Sequence, residues 1–223
     1  MSDTDSFIEE VSEEVRRDRL FALFRKYGWI PALLIVLIVA GASWNEYRKA
    51  QARSAAQALG DQILSALDQN DAEARAADLA NVQGNTPGAK AIVEFALAGA
   101  RADAGQVGGA VASLEAISTN GDLPLIYRQI ASFKALTLQT DTLGADERRI
   151  GFEALAQPGA PLRLLAEEQL ALIDISAGDA EAAIARFQMI LQDAETTSDL
   201  QQRAAQAIVA LGGTPEELPG SEG

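Results

Sequence analysis

The chain has no cysteine and no histidine among its 223 residues. Without cysteine there is neither a disulfide nor a thiolate metal site, so a reducing and an oxidising compartment suit it equally. Without histidine it cannot build Ser-His-Asp or Cys-His nucleophile systems, the common zinc sets or the usual proton shuttle near neutral pH. Paired carboxylates or a lysine would still serve an enzyme, but no carboxylate pair stands out from the 32 acidic residues. The composition thus points to a non-enzymatic protein without metal, cofactor or small-molecule substrate. Positive charge is scarce too: Glu46 to Gly223 carry 25 acids and 13 basic residues, a scattered balance of −12. That surface repels nucleic acid, whose binding is driven by Lys and Arg displacing counterions. It reads as a solvated face, or as one that recruits basic clients. Aromatic residues make up only 5% of the chain, and four of them flank a single segment.

That segment is the charge-free run of nineteen residues from Tyr27 to Asn45. A helix rising ~1.5 Å per residue carries it across ~28 Å, close to the ~30 Å hydrocarbon core of a bilayer. Three Leu, three Ile and two Val fill its centre, and together they favour insertion by about 2 to 5 kcal/mol. Tyr27 and Trp29 at one end, with Trp44 and Tyr47 at the other, suit rings lying at the two headgroup levels, and Lys26 and Arg48 lie beyond them. A buried core helix has no need of both girdles. Ala40-Gly41-Ala42 does have the small-x-small form of a signal-peptidase site. The preceding segment, however, is twenty-six residues long with seven acids and five basic residues, unlike a short positive n-region, and this favours an uncleaved anchor. Arg16, Arg17, Arg19, Arg25 and Lys26 precede the run, against Arg48, Lys49 and Arg53 after it. This bias predicts a cytoplasmic N-terminus and a large part on the far side of the membrane.

Beyond Arg48 the apolar periodicity is helical, alanine dominates, and no strand pattern is convincing. Breaks fall at "NVQGNTPG", "NGDLP" and "QPGAP". The chain also matches itself: Ala104 to Ile117 overlays Ala177 to Ile190 at an offset of 73. Half of that is near the ~34-residue period of a tetratricopeptide repeat. Ala98 and Ala171 are small where a first helix meets a second, Gly105 and Gly178 take the turn, Ala110 and Ala183 are small where the second crosses back, and Leu114 and Phe187 fill the space between. A degenerate unit lies between them, with Pro124 to Gln139 as first helix around Ala131 and Asp146 to Gln157 as second, carrying Gly151 and Leu155. Ala55 to Asp68 and Ala72 to Val82 make an earlier pair, the first in line to run on from the apolar helix. Asp199 to Leu211 reads as a terminal capping helix.

This arrangement resembles the membrane-anchored tetratricopeptide-like proteins of the bacterial inner membrane related to the ancillary subunit of the Sec translocon. Three blocks carry the resemblance: "IEEVSEEVRRDRLFALFRKYGW" directly before the span, "LPLIYRQIASFKAL", and "PLRLLAEEQLALIDISAGDAEAAIARFQMILQDAETTSDLQQRAAQAIVALGG". It implies an all-α protein: a cytoplasmic N-terminal tail over 1–26, a transmembrane helix over 27–47 and a periplasmic tetratricopeptide-like solenoid over 48–212; the Gly, Pro and Glu content of 213–223 predicts a disordered tail there. It further implies a place beside the Sec translocon, with a periplasmic prolyl-isomerase-like chaperone and emerging chains as partners. In such proteins the first helices line a concave groove. The matching positions are Ile92, Phe95 and Ala102, then Leu125, Arg128 and Ala135, then Leu165, Glu168 and Leu172. The resemblance implies that these hold an extended segment; the alternative is that the apolar ones pack the solenoid core.

In the tail, Ile8, Val11 and Val15 share one helix face and Leu20, Leu23, Phe24 and Tyr27 another, displaced by about a third of a turn. The second stripe suits the membrane interface or a docking site. A membrane-tethered regulatory or assembly scaffold working through this tail is the alternative to the translocon reading.

Overall fold

The computed structural model of the protein describes residues 25–216, and among them there is no strand. The chain divides into two compact units, the first ending at Ala58 and the second beginning at Leu59. The tail stripes from Ile8 to Phe24 lie outside the described residues.

Helix α1 (Trp29–Leu67) is 39 residues long. Pro31 falls in its first turn, where the missing N–H would have no helical partner. The helix runs without a break through the apolar stretch and on past Ala55, so the membrane-length helix and the first helix of the earliest pair are one element. No part of the apolar window is buried. The Trp44 and Tyr47 rings lie 6.3 Å apart, and Lys26 Nζ sits 5.5 Å from the Tyr27 ring centre.

The second unit holds the last turns of α1, followed by α2 (Ala72–Ala80), α3 (Pro87–Asp103), α4 (Val107–Ser118), α5 (Leu125–Leu138), α6 (Ala145–Leu155), α7 (Arg163–Ser176), α8 (Ala180–Gln192) and α9 (Ser198–Ala210). Side-chain oxygens start four of these helices: Asp71 accepts from the Ala74 N–H, Thr86 from Ala89 with Pro87 beside it, Asp179 from Ala182, and Thr197 from Leu200. Glycine ends α3 and α7. Gly105 has φ 71° and Gly178 has φ 81°, and the following N–H reaches back five residues, Gln106 to the Arg101 carbonyl at 2.8 Å and Asp179 to that of Asp174 at 2.9 Å. This is a left-handed helix stop that residues with a Cβ rarely adopt. Gly212 (φ 83°) ends α9 in the same way, with the Gly213 N–H 2.9 Å from the Ile208 carbonyl.

Packing is strictly local. One apolar cluster joins the end of α1 to α2 and α3 through Ala66, Leu79 and Leu97. A second joins α3, α4 and α5 through Ala98, Ala110, Leu114 and Ala131. A third joins α5, α6 and α7 around Phe152, Leu170 and Ile173, and a fourth joins α7, α8 and α9 around Ala171, Phe187 and Ile208. The 73-residue repeat is visible in burial: Ala98 and Ala171 are 2% and 0% exposed, Ala110 and Ala183 both 0%, Leu114 and Phe187 both 1%. Alanine at the crossing lets two helix backbones approach while the larger residue four positions on fills the gap.

The middle pair departs from the pattern in one respect. A Cβ on Gly151 would come within 2.7 Å of the Leu136 side chain, as a close crossing requires, and Leu155 is buried. The largest side chain there is Phe152, however, fully buried and edge-on to Phe133 at 5.6 Å between ring centres. The same pair holds buried polar atoms without a partner among the described residues, Arg128 Nε, Gln129 Oε1 and Arg148 Nε.

Polar bridges staple the regular pairs at one register. Arg101 on α3 donates to the Ser113 hydroxyl on α4 at 2.8 Å. At an offset of 73, Asp174 on α7 accepts from Arg186 Nε on α8 at 2.8 Å. Asp174, 4% exposed, also meets Arg149 of α6 at 2.7 Å, and Arg186 also meets Glu167 at 2.8 Å. Burial works against the Arg186 charge, but its bonds to Asp174 and Glu167 outweigh that and raise its pKa.

Helix α9 repeats α7 at a spacing of 34: buried Ala166, Leu170 and Asp174 correspond to buried Leu200, Ala204 and Ile208, and Gly178 to Gly212. It thus carries the pattern of a first helix, with Ile208 at the position where α7 has the acid that meets an arginine. Where composition predicts a disordered tail from 213, the chain is instead held as far as Glu216. Gln188 Nε2 donates to the Thr214 carbonyl at 2.8 Å, the Glu216 N–H donates to Gln188 Oε1 at 3.1 Å, and Gln192 donates to the Glu216 carboxylate.

The fragment Ser54–Glu216 is expected to fold alone, giving a helical circular-dichroism spectrum. Within it, Ala183→Trp overpacks a crossing and should cost about 1 to 3 kcal/mol in urea titration. Asp174→Ala strands two partly covered guanidiniums and should cost about 3 kcal/mol. Unchanged midpoints would refute the register on which both rest.

Candidate interaction surface

The nine positions expected to line a groove divide by exposure. Ile92 on α3, Leu125 on α5, and Leu165 and Leu172 on α7 are exposed large apolar side chains. Phe95 and Ala102 lie partly buried against the α3–α5 cluster. Arg128 and Glu168 are half-buried. Ala135 is a correction. It is 5% exposed inside the same cluster, one turn beyond Ala131 on the face that α5 turns to its neighbours, and it cannot touch a partner. The first helices α3 and α5 also touch each other directly. Ile126 and Tyr127, beside Leu125, are exposed as well; their place in an unbroken apolar triplet was the available signal.

Glu168 is fully engaged: both its oxygens accept from Arg203 of α9, at 2.7 and 2.9 Å. This bidentate pair is the main cause that raises the Arg203 pKa. It stands at the edge of a cleft of about 560 Å³ between the 159–161 loop and the first turns of α7 and α9. Leu164, Leu165 and Leu200 form apolar lining, and Arg163, Glu195, Asp199 and Arg203 supply charge. Arg163 is fixed by Asp193 at 2.8 Å and Glu195 at 2.9 Å. The Asp193 carboxyl is held below the usual carboxylate range, first by the Glu195 backbone N–H and then by Arg163. Its contribution is therefore present above the unfolded carboxylate pKa of about 3.9 and is lost as pH falls through the lower folded value. Sequence reasoning reached Leu165 and Glu168 here but not Arg163 and Arg203, whose partners Asp193, Glu195 and Glu168 lie 30 or more positions away.

Tyr27, Trp29, Trp44 and Tyr47, expected at the membrane interfaces, are all exposed at the two ends of the apolar run. The run is long and apolar enough to cross a membrane; a signal sequence meets the same description. Among the described residues no group of His, Cys, Asp or Glu side chains is arranged to hold a metal ion.

No curated protein and no solved structure matches the chain. The tetratricopeptide repeat-like domain family matches residues 22–148, more than half of the 223. Helices α7 to α9 lie beyond that match but continue its pattern, through the 73-residue recurrence of Ala171, Gly178, Ala183 and Phe187 and the 34-residue recurrence in α9. With its helices stacked neighbour on neighbour and its small residues at the crossings, the chain belongs to the tetratricopeptide repeat-like domain family.

Proposed function

We propose that this protein is a non-enzymatic, membrane-anchored interaction module of the bacterial inner membrane, an accessory of the Sec translocon that works with a periplasmic prolyl-isomerase-like chaperone on emerging chains. The observation that carries the reading is the junction in α1. One unbroken helix joins an unburied apolar stretch, ringed at both ends by aromatic side chains, to the first apolar cluster of the repeat domain. A retained span tethers the domain to the membrane that holds the translocon, so a weak contact gains from high effective concentration wherever the geometry lets both engage. The repeat family supports protein partners in general. The three sequence blocks that resemble translocon-associated relatives support this partner in particular. The contact surface in this reading is carried by Ile92, Leu125, Leu165 and Leu172, with Phe95 behind them.

A periplasm-active reporter fused after Gly223 is expected to be active, and mature protein should keep its N-terminal tail; a mature N-terminus at Ser43 would overturn the anchor. Leu37→Lys, at the centre of the run, should weaken insertion by about 3 to 4 kcal/mol. Photo-crosslinkers at Ile92 and Leu172 in the anchored protein should capture translocon subunits, the chaperone or emerging chains. Probes on the second helices at Glu115 and Met189, both exposed, should capture far less. Equal yields from the two sets, or capture of no translocon component or chaperone at all, would refute the reading.

A further inference from the structure

The cleft at the first turns of α7 and α9 has a chemistry that selects among partners. Both of its arginines are already committed. Arg163 is held by Asp193 and Glu195, and Arg203 by Glu168 and Asp199. An incoming carboxylate or phosphate would have to displace an internal one. Four carboxylates against two guanidiniums leave two negative charges in surplus, and the surplus lies at the rim: the side chains of Glu195 and Asp199 are 76% and 81% exposed, those of Glu168 and Asp193 only 14% and 24%. A carboxylate bonded to one guanidinium keeps lone pairs for a second donor. Below that rim Leu164, Leu165 and Leu200 line a space of about 560 Å³, within the usual size of ligand clefts. Helix α7 begins without a side-chain cap at Leu162; the Arg163 N–H is taken by the Ala160 carbonyl at 3.1 Å, which leaves those of Leu164 and Leu165 for a carbonyl.

An apolar floor, an anionic rim and open backbone donors fit one kind of occupant. We propose that this cleft binds a peptide segment of a partner protein in which Lys or Arg stands beside a large apolar residue. The apolar side chain rests on the leucines, the cation meets Glu195 and Asp199, and the α7 N–H groups take a peptide carbonyl. The proposal rests on the interaction-module reading and narrows its partner class, in keeping with the −12 balance of the chain beyond the apolar run.

The test uses the full-length protein in nanodiscs of zwitterionic lipid, with three labelled eight-residue peptides that alternate leucine with lysine, with serine or with glutamate. Fluorescence anisotropy should rank lysine first, with the glutamate peptide at least about tenfold weaker. Leucine methyl resonances of Leu164, Leu165 and Leu200 should shift on titration. E195Q/D199N should weaken the lysine peptide about fivefold, and E195K/D199K should reverse the ranking, with unchanged circular dichroism for both. Equal binding of all three peptides, or a lysine preference that survives E195K/D199K, would overturn the proposal, as would methyl shifts confined to other leucines. The crosslinks at Ile92 and Leu172 report the broader reading separately. Partner capture there without peptide binding sinks the cleft alone, and peptide binding without capture supports the cleft while sinking the translocon assignment.

Discussion

At each regular helix pair two backbones cross over alanine, Ala98 with Ala110 and Ala171 with Ala183, and a residue with any larger side chain could not stand at those four fully covered positions without forcing the helices apart. The rest of the domain depends on that close approach. It sets where Leu114 and Phe187 must fill, why a left-handed glycine stop precedes each second helix, and why the bridges Arg101–Ser113 and Asp174–Arg186 fall at the same register. Because every cluster is shared by consecutive helices only, stability is a sum over neighbours, with no single centre.

Much of this was legible from residues. The 73-residue recurrence identified the crossing alanines, the turn glycines and the filling residues, because a close crossing tolerates few side chains and the constraint therefore leaves a sequence trace. The helix breaks at Asn120–Pro124 and Gln157–Pro161 were legible for the same reason, as glycine and proline act locally. The Phe152–Phe133 contact was not: the connection in the middle pair holds Gly144 at φ −58° and not a left-handed glycine stop, and alignment on Gly151 and Leu155 passes over the residue between them. The Asp174 network escaped because its partners sit 12 and 25 positions away, although the overlay of Asp174 on Arg101 and of Arg186 on Ser113 marked a polar pair at that register. The hold on Thr214 and Glu216 comes from Gln188, a long-range hydrogen bond that composition does not encode.

At the candidate surface, the family resemblance chose nine positions on the first helices, and it could not tell the side that faces outward from the side that faces the next helix. Ala135 fell on the wrong side because α5 uses Ala131 and Ala135, four apart, for the same packing face. Ile92, Leu125, Leu165 and Leu172 lie on the side that stays partly open, between 36% and 57% exposed. The cleft beside Leu165 depends on α9, since the turn of α9 that begins at Thr197 forms one wall.

Neighbour-only stability is tested most directly by native-state hydrogen exchange on the fragment Ser54–Glu216 carrying Phe187→Ala. The substitution empties the cluster shared by α7, α8 and α9, a loss of about 3 to 5 kcal/mol. Exchange should rise sharply in those three helices while α2, α3 and α4 keep their protection. An equal rise from α2 to α9 would show one undivided cooperative core and contradict the account.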